Sequence, residues 1–157
     1  MESLRLVRAE KPQAPLAQAM QQEAFAQLLE KYQDHDTNPA NESLERITWK
    51  IKDPDSYYYF IWLGDTIIGA IRVHHAKDGS RKKISPLYIL PAYRGKGYAQ
   101  WAIREAERIH GSTHWELFTI LQEPRNCYLY EKMGYRRTGF QKEINGKMTI
   151  VGYEKDE

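Results

Sequence analysis

The sequence predicts an α/β fold built on one mixed sheet, and three observations lead to this prediction. Strand-like and helix-like segments follow one another in the order β-α-α-β-β-β-α-β-α-β-β. Two tight-turn signals, Gly64-Asp65 and Asn145-Gly146, each join two strand-like segments into a hairpin. Residues 82–121 have the pattern of a strand, a helix and a strand, which is typical of a parallel crossover unit. We therefore expect about seven strands in a mixed, mostly antiparallel sheet.

The first third of the chain predicts one strand and two helices. Residues 4–8 alternate apolar and polar side chains and indicate a short strand. Residues 16–32 place apolar side chains at helical spacing and indicate the first helix. Asn38-Pro39 has the pattern of an N-cap followed by proline at the first helical position. The second helix is predicted to start there and to end at Asp53-Pro54.

The same two periodicities predict the remaining elements. They are strands over residues 57–63, 67–75 and 82–90, a helix over 98–110, a strand over 115–121, a helix over 124–132, and a final hairpin over 136–144 and 147–154. Gly111 and Gly134 follow the two helices of this region, where glycine commonly ends a helix.

The composition excludes several classes of protein. At 157 residues the chain is long enough for a buried core, and we expect residues 1–157 to form a single domain. The net charge of +2 offers no basic surface for nucleic acid. Residues 57–63, the longest apolar run, are too short to span a membrane, and the N-terminus lacks the apolar stretch of a signal peptide.

The cysteine and histidine content bears on location and on metal binding. Cys127 is the single cysteine, which excludes an intrachain disulfide and fits a reducing cytoplasm, where we expect the protein. His74 and His75 are adjacent in a predicted strand, so their side chains point to opposite faces, and no third ligand accompanies them. We therefore predict no metal site, no nucleic-acid partner and no membrane partner.

The segment from Leu87 to Ala99 joins an apolar strand to a helix through a glycine-rich turn. Pro91 ends the strand, and Arg94-Gly95-Lys96-Gly97 precedes the helix. Glycines at the start of a helix let the backbone bend tightly and expose several N–H groups to one anion. The helix dipole and the two basic side chains add positive potential at the same place. These residues predict a pyrophosphate site.

The glycine-rich turn also has two other interpretations. The first is a glycine-rich helix entry that binds no ligand. The second is a dinucleotide-binding turn, which is suggested because Gly95-x-Gly97 follows a strand and Glu116 lies about 20 residues further on. Gln100 occupies the position of the third glycine, and no mononucleotide-binding unit precedes the turn, which counts against the dinucleotide. The P-loop pattern is absent.

Two segments resemble the GCN5-related N-acetyltransferase (GNAT) family. Arg94, Gly97 and Ala99 match its Arg-x-x-Gly-x-Ala signature for acetyl-coenzyme A (acetyl-CoA). Residues 126–135 are similar to its segment in which a helix ends in a Tyr-Glu-Lys-x-Gly-aromatic turn, and the two segments come in the expected order. The resemblance implies one N-acetyltransferase domain over residues 1–157, with the acyl-CoA N-acyltransferase fold and helices on both faces of the sheet. It also implies acetyl-CoA as co-substrate.

The resemblance further implies roles for individual residues. The backbone amides of residues 94–99 would hold the pyrophosphate, the main chain of residues 87–89 would pair with the pantetheine arm, and the Ile89 N–H would face the oxyanion. Asn126 would bond the pantetheine or phosphate region, and Tyr130 would protonate the leaving thiolate. The implied cofactor-binding residues are Leu87, Tyr88, Ile89, Arg94, Gly95, Lys96, Gly97, Tyr98, Ala99 and Asn126.

Simpler roles remain open for two of these residues. Asn126 is also explained as an ordinary polar residue in the first turn of a helix, and Tyr130 as a core aromatic residue. The pantetheine interpretation further requires the strand over residues 82–90 to separate from the strand over 115–121, which opens a cleft between them.

Two features depart from the family's pattern. Pro86 lies inside the proposed cofactor strand and cannot donate a ladder hydrogen bond, so we expect the end of regular pairing or a bulge there. Lys83 and Ser85 occupy the positions where many members carry a glutamate or histidine base. The base must come from elsewhere or act through water, and the candidates are Glu23, Glu45 and Glu116.

The acceptor is expected to be a small-molecule or peptide amine. Its pocket should be formed by the two N-terminal helices, their connection and the final hairpin. The connection, residues 33–38, is acidic and could attract a cationic amine, although a solvated loop with capping residues is the better explanation of its composition. The alternative function is a catalytically silent acyl-CoA-binding or sensor protein with the same fold. The oligomeric state, monomer or homodimer, is left open.

Overall fold

The computed structural model describes residues 3–157, and within them one sheet of seven strands carries four α-helices. In chain order the elements are β1 (Leu4–Arg8), α1 (Ala14–Tyr32), α2 (Leu44–Lys52), β2 (Ser56–Leu63), β3 (Thr66–His74), β4 (Lys82–Ile89), α3 (Tyr98–His110), β5 (Trp115–Ile120), α4 (Pro124–Lys132), β6 (Arg136–Asn145) and β7 (Met148–Lys155). Short 3-10 turns lie at Lys11–Gln13, Pro39–Asn41 and Pro91–Tyr93.

The sheet is mixed and mostly antiparallel, which confirms the predicted fold class. Its strand order is β1-β2-β3-β4-β5-β7-β6. Among the described residues β4 and β5 are the one parallel pair of neighbours, and α3 forms the crossover between them. The predicted tight turn at Gly64-Asp65 is confirmed, since Leu63 pairs with Thr66.

Helices cover both faces of the sheet. The helices α3 and α4 pack on one face over a core that includes Ile103, Trp115 and Leu117. The helices α1 and α2 pack on the other face of β2, β3 and β4, over Phe60 and Tyr88. This second pair of helices leaves the same face of β5 and β6 open, where large apolar side chains remain partly exposed. Within residues 3–157, no helix is long and apolar enough to cross a lipid bilayer.

The start of the second helix was predicted wrongly. The Asn38 side chain accepts a hydrogen bond from the Ala40 N–H at 2.7 Å, but it caps only the 3-10 turn at Pro39–Asn41. The backbone is extended at Glu42, and α2 begins after Ser43, whose hydroxyl accepts from the Arg46 N–H at 3.1 Å. Both Asn and Ser are good N-caps, so the local sequence contains two adjacent start signals.

The final hairpin turns one residue later than predicted. Asn145 pairs with Met148, so the two-residue turn is Gly146-Lys147. The Asn145 carboxamide oxygen accepts from the Lys147 N–H at 2.8 Å, and its NH2 group donates to the Tyr32 carbonyl at 2.9 Å. The asparagine therefore both closes the hairpin and joins it to the end of α1.

Candidate active site

The strands β4 and β5 are paired over a very short length and then diverge. They pair only at Lys82 with Trp115 and at Lys83 with Glu116. A cleft with a volume of about 320 Å³ opens beyond these pairs. It is lined by Phe25, Leu28, Tyr32, Asp34, Thr37, Asn38, Pro39, Ile84, Ser85, Pro86, Leu87, Phe118, Thr119, Ile120, Tyr130, Met148 and Ile150. The predicted separation of the two strands is thus present in the structure.

Pro86 contributes to this opening. On the other side of β4 the pairs Ile71–Leu87 and Val73–Ile84 enclose two residues of β4 but only one of β3, which is a β-bulge. Pro86 has no N–H to donate to a neighbouring strand. The buried guanidinium of Arg72 donates to the Ser85 carbonyl at 3.0 Å and fixes the bulge from the β3 side. The edge of β4 that faces the cleft is therefore left without a protein partner strand.

The N–H groups of residues 87–89 alternate between the β3 edge and the cleft edge of β4. The Leu90 N–H donates to the Ile68 carbonyl of β3 at 2.8 Å. Because successive N–H groups of a strand point to opposite edges, the Ile89 N–H points away from β3, towards the cleft. The Tyr88 side chain lies on the face of the sheet that α1 and α2 cover, where its hydroxyl is 2.8 Å from that of Tyr58. By the same alternation the main-chain groups of Tyr88 face β3, and Tyr88 is not among the residues that line the cleft.

The glycine-rich turn leads directly into α3. Gly95 and Gly97 have φ values of 78° and 83°, in the left-handed region that side chains other than glycine rarely adopt. A Cβ atom at either position would meet no other atom within 4 Å. No side chain caps the helix, so the amides of its first turn are free for an anion. Lys96 is exposed beside them.

The Arg94 side chain binds carbonyl groups of the protein itself. Its Nε donates to the Ile89 carbonyl at 2.8 Å, and its Nη2 donates to the Ala24 carbonyl at 2.7 Å. The guanidinium thereby joins the end of β4 to α1. Two of its five N–H groups are used in this way, a structural role that the sequence analysis did not identify.

Tyr130 lies on α4 and lines the cleft. Among residues 3–157, no group is hydrogen-bonded to its hydroxyl, while its ring packs near Tyr135 and Tyr153 with centroids 6.2 and 6.3 Å away. Burial raises the pKa of Tyr130 to about 12. The phenol therefore keeps its proton at neutral pH and can donate it to an acceptor in the cleft.

The end of α4 agrees with its prediction. Gly134 has a φ of 95°, and the Tyr135 N–H donates to the Tyr130 carbonyl at 2.9 Å. The Tyr135 hydroxyl donates to the Glu107 carboxylate of α3 at 3.0 Å, and Lys155 of β7 pairs with the same carboxylate at 2.9 Å. These buried bonds hold α4, and Tyr130 with it, against α3 and the sheet.

Asn126 occupies the first turn of α4. Its N–H donates to the Glu123 carbonyl at 3.1 Å, and its side chain is half-buried. The side-chain amide makes no hydrogen bond to the described residues, so its donors and acceptor are free for a ligand. Asn126 does not line the cleft itself.

Three segments meet at the end of the cleft where an acceptor pocket was predicted. The Tyr32 hydroxyl of α1 donates to the Glu123 carboxylate between β5 and α4, which also pairs with Lys31 at 2.7 Å. Asn145 ties the β6–β7 hairpin to the same end of α1. The lining includes residues of α1, of the connection after it and of β7, as predicted for the acceptor pocket, but none of α2.

None of the three predicted base candidates lines the cleft. Glu23 and Glu45 lie on exposed positions of α1 and α2. Glu116 belongs to the segment of β5 that is still paired with β4. The carboxylate that lines the cleft is Asp34, which the sequence analysis included only as one member of an acidic connection. Its position in a charged loop gave no sign that it would be buried.

The histidines that follow β3 and end α3 form a separate pair. The Nδ1 atoms of His75 and His110 are 2.9 Å apart, and the His110 Nε2 is 2.8 Å from the Tyr59 hydroxyl. Burial, together with the charges of His75 and Lys82, lowers the pKa of His110 to about 4. No group of three or more His, Cys, Asp or Glu side chains in residues 3–157 is arranged to hold a metal ion.

Comparisons with known proteins agree with this geometry. The family described as Acetyltransferase (GNAT) matches residues 18–135. No curated protein sequence matches the chain. Among solved structures, a spermidine N-acetyltransferase from Vibrio cholerae in complex with CoA and spermine has a TM-score of 0.76 and 18% identity, over 96% of this chain and 93% of that one.

Two further structures are similar over nearly their whole length. An acetyltransferase from Thermus thermophilus has a TM-score of 0.73 and 17% identity, over 98% of this chain and 97% of that one. The PaiA N-acetyltransferase from Thermoplasma acidophilum, in complex with coenzyme A, has a TM-score of 0.67 and 17% identity, over 98% and 99%. Since these identities are low, the three structures establish the common fold. Together with the family match, this shows that the chain belongs to the GNAT acetyltransferase family.

Proposed function

We propose that the protein moves the acetyl group of acetyl-CoA to a primary amine by direct attack, with Tyr130 as the general acid. The observation that carries this proposal is the position of Tyr130, a protonated phenol with no hydrogen-bond partner among the described residues, in the cleft between β4 and β5. The free amides at the start of α3 lie at the end of the same β4 strand.

Acetyl-CoA would bind mainly through the main chain of the protein. The amides of residues 94–99 suit the pyrophosphate, because glycine-rich helix starts bind anions. The open edge of β4 at residues 87–89 suits the pantetheine arm, whose amides would pair as an added strand does. The free side-chain amide of Asn126 offers a further hydrogen bond.

The reaction requires attack by the amine nitrogen and departure of the coenzyme A thiolate. The neutral amine attacks the thioester carbonyl carbon, and negative charge develops on the carbonyl oxygen, where the Ile89 N–H can stabilise it. The C–S bond then breaks, and the Tyr130 hydroxyl gives its proton to the departing thiolate. The proton that the attacking nitrogen loses passes to water, and the Tyr130 phenolate takes a proton from water in turn.

Release of free thiol during incubation with acetyl-CoA and a panel of amines tests this proposal. Steady release that depends on an amine, together with the acetylated product by mass spectrometry, is the expected result. Binding of acetyl-CoA without turnover of any amine would favour the silent acyl-CoA-binding protein instead. That alternative is favoured by Lys83 and Ser85, which stand where a base occurs in many family members.

A further inference from the structure

The cleft contains a single charged side chain. Among its lining residues, all of which the structure describes, Asp34 is the one acidic side chain, and no lysine, arginine or histidine is present. Only 6% of Asp34 is exposed to solvent. A buried carboxylate is costly unless it is paired with a cation or fully hydrogen-bonded. The buried carboxylate of Asp34 is therefore expected to bind a cation or several hydrogen-bond donors.

The carboxylates of Glu123 and Glu42 have cationic partners, and that of Asp34 does not. Glu123 pairs with Lys31 at 2.7 Å, and Glu42 pairs with Lys50 at 2.5 Å. In residues 3–157, no basic side chain lies within ion-pair distance of Asp34.

The hydrogen bonds to Asp34 come from one neutral residue, Thr37. Its N–H donates to one carboxylate oxygen at 3.2 Å, and its hydroxyl donates to the other. These bonds fix the orientation of the carboxylate but leave its charge uncompensated. A carboxylate accepts about four hydrogen bonds, so Asp34 retains the capacity to bind a ligand ammonium group.

The walls of the cleft suit a methylene chain beside that charge. Phe25, Leu28 and Pro39 line it at the acceptor end, and the cleft continues to Tyr130. We propose that the acceptor is a diamine or a longer polyamine, in which one neutral amine reacts near Tyr130 while a second amine, still an ammonium, binds Asp34. This inference rests on the proposed acetyl transfer and names its substrate class. An acceptor with a carboxylate, such as an amino acid, would find no cation in the lining.

Matched amines test the proposal directly. We compare 1,4-diaminobutane with 1-aminobutane, which has the same carbon chain and one ammonium fewer. The wild-type protein should acetylate the diamine with a kcat/KM at least about tenfold higher, as expected for one hydrogen-bonded ion pair. A higher kcat/KM for the monoamine, or an equal value for lysine and the diamine, would overturn the inference while leaving acetyl transfer intact.

Two variants test whether the preference for the diamine depends on Asp34. Asp34→Asn should lower kcat/KM for the diamine by about tenfold or more, mainly through KM, and change it for the monoamine by less than about threefold. Asp36→Asn is the matched control, because Asp36 is an exposed carboxylate of the same loop and does not line the cleft. Equal losses for both amines in Asp34→Asn would mean that Asp34 acts on the reacting amine, which contradicts the proposal.

Calorimetry separates this inference from the proposed function. Binding of 1,4-diaminobutane to the protein saturated with coenzyme A can be measured without turnover. If the diamine binds the wild-type protein, and Asp34→Asn with an unchanged Tm does not bind it, the diammonium site stands even when no amine is acetylated. If the diamine fails to bind and is not acetylated while 1-aminobutane is, the inference is wrong and acetyl transfer remains.

Discussion

The proposed cofactor side of the cleft is formed mainly by one continuous stretch of chain, whereas the proposed acceptor side is assembled from two stretches that lie far apart along the chain. Residues 82–110 supply β4, the glycine-rich turn and α3. The acceptor side combines the end of α1, the connection after it and the β6–β7 hairpin. The first side offers mainly backbone groups, and the second offers side chains. A substitution on one side should therefore change binding on that side and leave the other almost unchanged.

Tyr130 lies where the two sides meet, so its hydroxyl should affect neither binding step. Tyr130→Phe keeps the ring and its packing but removes the proton donor. We expect kcat to fall by about 10²–10⁴-fold, the usual contribution of a positioned acid, while the dissociation constant of acetyl-CoA changes little. Steady-state kinetics and calorimetry measure the two quantities. A variant that loses coenzyme binding together with turnover would make Tyr130 a cofactor contact.

Gly97 tests the cofactor side alone. Gly97→Val forces a β-branched side chain into the left-handed region at the start of α3, so acetyl-CoA should no longer raise the Tm. The control is Gly64→Val in the β2–β3 turn, which has a φ of 57° and the same open surroundings. The control should lower the Tm of the free protein but keep the shift on adding acetyl-CoA.

The Tm shift caused by other nucleotide ligands also tests the proposed cofactor side. Dephospho-coenzyme A should keep most of the stabilisation of the wild-type protein, and NAD should give none. Equal stabilisation by NAD would contradict the acetyl-CoA assignment and favour the dinucleotide interpretation of the glycine-rich turn.

Asn145 tests the acceptor side. Asn145→Ala removes the bond to the Tyr32 carbonyl and the bond from the Lys147 N–H, and should cost about 2 kcal/mol of stability, about 1 kcal/mol for each net hydrogen bond. Because the hairpin would no longer be tied to α1, the KM of the best amine in the panel should rise several-fold with acetyl-CoA affinity unchanged. Asn41→Ala removes a comparable bond, to the His35 carbonyl inside the connection, and should leave that KM unchanged.

The pH dependence of turnover should show the smallest effect. The pKa of Tyr130 is raised from 10.0 to about 12, so the acid form persists to a higher pH than in an exposed tyrosine. Below about pH 10, kcat should therefore rise or stay level, because loss of the amine proton increases with pH while Tyr130 remains protonated. A fall of kcat between about pH 8 and 10 in the wild-type protein, absent in Tyr130→Phe, would contradict the raised pKa.

The difference between the two sides also explains how far the sequence could predict the site. Gly97 and the segment around Tyr130 belong to short contiguous patterns, and their backbone conformations follow from local sequence. Asp34 cannot be recognised in this way. Its burial depends on α1, β4 and β7, which meet only in the folded protein.

The errors in the fold prediction have the same origin. Asn38 and Ser43 are both good N-caps, and the choice between them depends on where α2 packs, which no local pattern shows. The turn at Asn145 shifts by one residue, and its side chain meets the carbonyl of Tyr32, far away along the chain. The types of the elements and their order along the chain were predicted better, because they depend on periodicity within each segment.

The two pairs that connect β4 with β5 make a narrow bridge between two halves of the sheet. Strands β1 to β4 lie on one side of it, and β5, β7 and β6 on the other. With so few hydrogen bonds across the middle, the halves should open as separate cooperative units in hydrogen exchange. A pantetheine chain that pairs along the free edge of β4 and contacts α4 would span the gap. The coenzyme would then act as an additional, removable strand that makes the sheet exchange as one body.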